Sequence, residues 1–303
     1  MTISVSIVVR ALNEAKYLPY LFEGLADQTR QPEEIILVDS GSTDGTRKIA
    51  IAAGSVVEKI KPEDFTFGRA LNRGCESATG DILVFVSAHV YPHDKYWLER
   101  LVSPFENHSN VALVYGRQIG DERNHFSETE LMRRWFPDVS DHQQMHPFCN
   151  NANCAIRKSA WEQNPYDEEL TGLEDMAWAK QALSDGRRLW YESEATIVHV
   201  HEESISQTVN RYRREAIAHR KIFGRQKMGT LEAMGLFFAN TIRDYMAAIP
   251  RRRLLRNLIS IPRFRYAQFR GAWQGFQQGD ELTAELKRRF YYPKGFTSRN
   301  HRM

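Results

Sequence analysis

Glu34-Ile35-Ile36-Leu37-Val38-Asp39-Ser40-Gly41-Ser42-Thr43-Asp44-Gly45-Thr46 is the stretch that decides the fold of this chain. A short, continuous apolar run rich in β-branched residues reads as a strand buried on both faces. It stops at an acidic residue, passes through a Ser/Gly/Asp loop, and a helical pattern then runs from Thr46 to Ala53. The same alternation surrounds it. Ser4–Val9 reads as a strand, Tyr17–Leu25 as a helix, Val56–Ile60 as a strand, Arg69–Ser77 as a helix, and Asp81–Val86 as an apolar, central strand. Such a β-α-β-α rhythm predicts an α/β fold, a mainly parallel sheet covered by helices. After Pro92 the expected elements are mixed. Trp97–Phe105, His125–Phe136 and Asp175–Ser184 read as helices, and Val111–Tyr115, Leu189–Tyr191 and Thr196–Val200 as short strands. From about Gln207 the chain reads as basic helices broken at Pro250 and Pro262.

The 303 residues give room for one large α/β domain with an appendage, and a hydrophobic share of 42% excludes disorder of the whole chain. The first ten residues lack a basic leader and a small-residue cleavage site. The most apolar later stretch, 231–249, is interrupted by Glu232, Arg243 and Asp244, which argues against a spanning helix. Three cysteines without metal-type spacing fit a reducing compartment. The expected localisation is therefore cytoplasmic. Charge is split: residues 1–204 carry 20 Lys/Arg against 32 Asp/Glu, whereas residues 205–303 carry 21 against 6. An acidic body and a basic extension imply two kinds of partner.

In a parallel α/β sheet, ligands bind beyond the carboxyl ends of the strands. Asp39, Ser87-Ala88-His89 and Asn13-Glu14 stand at such ends. Asp39 can accept a hydrogen bond from a pyrimidine N3–H, with Asp44 and the loop hydroxyls near a ribose; taken alone, the same residues also suit an ordinary turn. The glycines do not have phosphate-loop or dinucleotide spacing.

Val5–Val9 with Asn13-Glu14, the stretch 36–46, Phe67-Gly68-Arg69-Ala70-Leu71-Asn72-Arg73-Gly74, Gly80–Phe85, Tyr115-Gly116-Arg117-Gln118, Asn150–Arg157 and Glu174-Asp175 occur in an order that resembles an inverting family 2 glycosyltransferase of GT-A fold. The Tyr-Gly-Arg-Gln string with His199 and His201 is similar to the rhamnosyltransferase branch. The resemblance covers about residues 4–215 and implies a GT-A catalytic domain over 1–215 followed by a basic helical extension over 216–303. It implies a nucleoside-diphosphate-sugar donor, dTDP-deoxysugar or UDP-sugar, and a saccharide or lipid-linked acceptor in cell-surface polysaccharide synthesis. Donor-binding roles fall on Arg10, Asn13, Glu14, Asp39, Ser40, Asp44, Arg69, Arg73, Ser87 and His89. Asp175 takes the place of the catalytic base, with Glu174 beside it, since inverting transfer needs a carboxylate to accept the acceptor hydroxyl proton. Acids also favour a first helical turn for purely electrostatic reasons.

The family usually ends its central strand in an acidic metal-binding motif; here the strand ends Val86-Ser87-Ala88-His89. Three explanations stand. His89, helped by His199 or His201, ligates a divalent metal (Mn or Mg), imidazole suiting Mn better. Alternatively, His89 and nearby arginines neutralise the diphosphate without metal, or activity is impaired. Trp135, Asn151 and Trp178 are candidate acceptor residues, core packing being the alternative for the tryptophans. His142 and His146 have helical ligand spacing but a loop-like context. The basic extension, with Phe264, Tyr266, Phe269 and Trp273 interleaved among its arginines, suits an anionic membrane surface, such as the inner face of the plasma membrane, or a solvated helical face; nucleic acid is disfavoured. A homo-oligomer is compatible with this sequence. Two rival functions are a nucleotidyltransferase, whose basic glycine-rich loop after the first strand is missing, and a non-catalytic sugar- or membrane-binding protein.

Overall fold

The computed structural model describes residues 3–224, 227–278, 286, 290 and 291. Along the chain the elements are β1 (Val5–Ala11), α1 (Leu18–Ala26), β2 (Glu34–Asp39), α2 (Thr46–Ala52), β3 (Val56–Lys59), α3 (Phe67–Ser77), β4 (Ile82–Ser87), β5 (Val90–Pro92), α4 (Trp97–Asn107) and β6 (Val111–Ile119). They continue with α5 (Phe126–Trp135), β7 (Asp141–Gln144), β8 (Asn153–Arg157), α6 (Lys158–Gln163), α7 (Glu174–Ser184), β9 (Arg188–His199), α8 (Ile205–Phe223), α9 (Thr230–Ala248), α10 (Leu254–Asn257) and α11 (Ser260–Gln277).

Among the described residues one sheet has the order β3-β2-β1-β4-β8-β6-β9-β5, with β7 also on β9. The first four strands are parallel, as the alternating pattern predicts. The apolar runs 35–38 and 82–86 are central and shielded on both faces: Val5, Ile7, Val9, Leu37 and Val84 pack with α1 and α4, and Val8, Ile36, Leu83 and Phe85 with α3 and α7. Strand β8 then enters antiparallel between β4 and β6, while β6 and β9 pair in parallel. Six strands therefore run one way and β5, β7 and β8 the other. The two short strands expected at 189–191 and 196–200 are one strand, β9, interrupted by a register shift opposite Gly116. Gly116 is required there, because a Cβ would stand 2.1 Å from the Ala195 carbonyl oxygen.

The chain divides into two units. The first contains the sheet, up to Glu169 and again over Glu174–Glu202; the second contains Leu170–Leu173 and the chain from Glu203. The boundary after residue 215 that the resemblance implies lies within α8, whereas the second unit resumes at Glu203, just before that helix. Helix α8 begins with a capping box at Ser204 and Gln207 and ends at Gly224 in left-handed conformation. In the second unit α8 and α11 lie close together: a Cβ on Gly271 or Gly275 would stand 2.4 or 2.3 Å from the Val209 or Arg213 carbonyl oxygen. Arg265 and Asp244 form a buried two-pronged ion pair (2.7 and 2.8 Å) that joins α11 to α9. Pro250 lies between α9 and α10 as predicted. Pro262 does not break a helix; it sits in the first turn of α11, where a missing N–H costs nothing.

Candidate functional site

The strand directions collect the polar ends of the sheet along one edge. Arg10 and Ala11 at the end of β1 are flanked by Ser87 of β4 and Asp39 of β2. Gln118 and His199 close β6 and β9 on the same edge. Because β8 runs the other way, its beginning, not its end, lies here, and Asn153 pairs with Val86. Antiparallel β5 also begins here, with Val90 opposite His199.

Asp39 is buried, and its carboxylate accepts the backbone N–H groups of Gly41 and Ser42 at 3.2 Å, with the Arg47 guanidinium 3.8 Å away. It shapes the loop that Gly41, at φ 104°, allows to turn. A carboxylate offers about four lone pairs, so room remains for a ligand N–H. Ser40 is buried and donates to the Ala11 carbonyl. Asp44 receives the N–H of Thr46 and of Ala15. Burial alone would raise its pKa, but these hydrogen bonds and that of the Thr46 hydroxyl hold it below the usual carboxylate range. Asn13, at φ 56°, uses its side-chain oxygen on the Thr43 N–H (2.8 Å) and its own N–H on the Ser42 hydroxyl. Asn13 and Asp44 therefore clamp two loops together around Asp39.

Asp175 and Glu174 begin α7 and are both buried. Asp175 accepts the Asn151 N–H at 3.0 Å and the Met176 N–H at 2.8 Å. Burial, then the charge of Glu174, push its pKa up to about 7 against those hydrogen bonds and the nearby positive charge of Arg10. A carboxyl poised near neutrality suits a general base. Arg10 binds Glu174 at 2.9 Å and lies 4.9 Å over the Phe67 ring, so it stands beside the Glu174-Asp175 pair. Leu173, immediately before, has φ 55°, a strained value for a branched residue and of a kind found at functional sites. A pH–rate profile is expected to fall below pH of about 7 as Asp175 takes up its proton; Arg10→Met removes a charge that favours the carboxylate and should move that limb upward. An unmoved limb would remove Arg10 from this role.

His89, His199 and His201 stand together, with candidate ligand atoms within 4.8 Å of one another. The β5–β9 ladder makes the cluster: the Val200 N–H donates to the His89 carbonyl at 3.1 Å. Each ring's Nδ1 meets an oxygen, Glu14 for His89 (3.0 Å), Gln118 for His199 (2.7 Å) and Glu128 for His201 (2.7 Å). Those oxygens accept, so each neutral ring carries its hydrogen on Nδ1 and keeps its lone pair on Nε2. This is how proteins orient imidazoles toward a metal. The donor set fits a divalent ion of the Mn, Co or Zn type better than Mg, which prefers oxygen ligands. Glu14, placed among donor contacts by the resemblance, faces His89, another of those candidates. Gln118 and Glu128 had no role assigned from sequence, although Gln118 closes the Tyr-Gly-Arg-Gln string.

The remaining candidates have the following partners. Arg69 pairs with Glu168 (2.7 Å) and Arg73 with Glu58 (3.1 Å) along α3, each half-exposed. Asn151 is buried beside Asp175, and its Nδ2 has no hydrogen-bond partner among the described residues. Trp178 is core: its indole N–H donates to the Asn164 carbonyl at 2.7 Å and its ring is buried, so the acceptor role gives way to packing. Trp135, half-exposed at the end of α5, remains open to a ligand. His142 stacks on Trp190 at 3.9 Å between ring centres, apart from the cluster described. The three cysteines are buried, and burial raises their thiols far above the ordinary range, which excludes a reactive thiolate.

A model of Glycosyl transferase family 2 matches residues 6–165. The chain is 31% identical over 209 residues to the O-antigen chain rhamnosyltransferase WbaN of Salmonella anatum, covering 65% of this chain and 66% of that one. It is 23% identical over 227 residues to the O-antigen chain rhamnosyltransferase RfbN of Salmonella typhimurium, covering 71% and 72%. The chain thus spans about two thirds of the length of these relatives. Its fold is like that of the mannosyltransferase PcManGT from Pyrobaculum calidifontis, solved with GDP-Man and Mn2+ (TM-score 0.61, 17% identity, 97% of this chain and 89% of that one). It is also like S. aureus TarS 1-349 in complex with UDP-GlcNAc (TM-score 0.56, 16% identity, 89% and 91%).

Proposed function

The chain belongs to glycosyl transferase family 2 and is a glycosyltransferase with a GT-A fold; from that premise we propose that it catalyses inverting transfer of a sugar from a nucleoside diphosphate to a saccharide or lipid-linked acceptor in cell-surface polysaccharide synthesis. The observation that carries the reading is the single sheet edge that gathers Asp39, Ser87, the Arg10–Glu174–Asp175 group and the histidine cluster. Asp39 and its clamped loop receive the nucleobase; the relatives named as rhamnosyltransferases support rhamnose as the sugar, a dTDP-deoxysugar is the first choice of donor, and a UDP-sugar is the second because uracil offers the same N3–H. Asp175 takes the acceptor hydroxyl proton as that oxygen bonds to the anomeric carbon and the bond to the diphosphate breaks. Glu174 and Arg10 set the charge around Asp175. A divalent ion held by His89, His199 and His201 would supply Lewis-acid stabilisation of the leaving diphosphate. Trp135, half-exposed, contacts the acceptor, and Asn151 acts from beneath through its N–H on Asp175.

A thermal-shift panel of dTDP-, UDP-, GDP- and CMP-sugars, each with Mn2+, Mg2+ or chelator, tests the donor assignment. A ligand that binds the folded state raises its stability by about 2.7 kcal/mol at one hundred times its Kd. A pyrimidine diphosphate with Mn2+ is expected to give the largest shift. Stabilisation by GDP-sugars alone would overturn the base assignment.

A further inference from the structure

In the second unit, the apolar surface lies on a helix whose charge is unremarkable, and the charge lies next to it. Leu231, Met234, Phe238, Ile242, Met246 and Ile249 recur at spacings of three and four, so α9 and the residue after it present them as one stripe. Each is at least half exposed, Leu231 at 85%. The opposite side of α9 is already used: Ala233, Thr241, Asp244 and Ala248 are buried, and Asp244 is tied to Arg265. The chain then turns through Arg251, Arg252 and Arg253, all exposed, and resumes with exposed Leu255, Arg256, Leu258 and Ile259. The aromatic residues that suggested a membrane face from sequence do not form it. Phe264 is fully buried and Arg265 is paired in the core; of that segment Tyr266 is exposed.

We infer that the α9 stripe and the arginines after it form a docking surface for an anionic lipid bilayer, with α9 lying in the plane of the interface. The chemistry selects this partner. Long aliphatic, Met and Phe side chains beside a cluster of guanidinium groups match acyl chains under anionic headgroups. No helix among the described residues is long and apolar enough to cross a membrane. A second copy of the chain would cover the apolar stripe but offers no complement to the arginine cluster beside it, and the test below distinguishes the two occupants. This surface is independent of the donor and base assignments above.

Flotation of the full-length chain with vesicles tests it, using neutral phosphatidylcholine with and without one-third phosphatidylglycerol. The chain is expected to float with the anionic vesicles. Phe238→Glu/Ile242→Glu should weaken that binding by at least about tenfold, since two inserting side chains become charged. Arg252→Glu/Arg256→Glu should remove the preference for anionic over neutral vesicles. Helicity by circular dichroism and the thermal shift with donor are expected to be unchanged in both variants, which separates failure of this surface from failure of the glycosyltransferase reading. Three results would each overturn the inference: no flotation of the wild type, wild-type flotation by the stripe variant, or light scattering that finds a homodimer dispersed by Phe238→Glu.

Discussion

Asp175→Asn is expected to lower the rate of sugar transfer by about 10²- to 10⁴-fold, the range for loss of a positioned general base, while leaving the thermal shift with donor in place. The reason is specific to this carboxylate. It is buried, its two oxygens are fixed by the N–H groups of Asn151 and Met176, and burial with the adjacent Glu174 brings its pKa up to about 7. At neutral pH such a group divides between a form that can take a proton and a form that has one. Asn keeps the shape and removes the basicity. Glu174→Gln is the control: it relieves the like charge on Asp175 and should move the pH profile without the same loss in rate. A single-turnover assay with bound donor separates the chemical step from donor binding. Transfer by Asp175→Asn at the wild-type rate would end the assignment.

The second large effect concerns the histidines. His199→Ala/His201→Ala is expected to abolish binding of Co2+ or Mn2+ to the protein without donor, measured by equilibrium dialysis and by the visible absorption of bound Co2+. Glu128→Ala, which removes the acceptor that orients His201, should weaken binding by about 10- to 100-fold, as loss of an outer hydrogen-bond partner does. Mg2+ should compete poorly, because three imidazoles replace the oxygen ligands it prefers. Unchanged metal binding in the double variant would sink the site and favour neutralisation of the diphosphate by the protein's own cations. Because the readout is the ion itself, this result does not depend on knowing the acceptor.

How far each feature could be read in advance follows from the range of the interaction that makes it. Strand, loop and helix over 34–46 rest on local pattern: four consecutive apolar residues, an acidic stop, glycines where the backbone turns, then helical spacing. The parallel half of the sheet follows from repeating that unit. Strand β8 was not legible as a strand, because Asn153-Cys154-Ala155-Ile156-Arg157 carries no alternation; it extends because β4 and β6 pair with it on both sides. Asn153 illustrates the same point. Its side chain accepts from the Trp97 indole and donates to the Arg117 and Ala195 carbonyls, a role set by residues 36 to 56 positions away.

The site divides in the same way. The residue types at strand ends, the Glu174-Asp175 pair and the absence of an acidic motif after Val86 are properties of the sequence, and with them came the family and the chemistry it performs. The sequence also determined that His89, His199 and His201 existed as candidates. That His199 or His201 helps His89 was an expectation of the sequence; tertiary structure brings all three to one place, because β5 turns back to pair with β9 across more than one hundred residues. It alone decided that Glu14 faces a histidine, that Arg10 faces Glu174, that Trp178 is core, and that the exposed apolar stripe of the basic half lies on α9. Local pattern states what a residue can do within one turn or one strand. Burial, ring orientation and the pKa of Asp175 are set by what the fold packs against it, and no neighbour in sequence supplies that information.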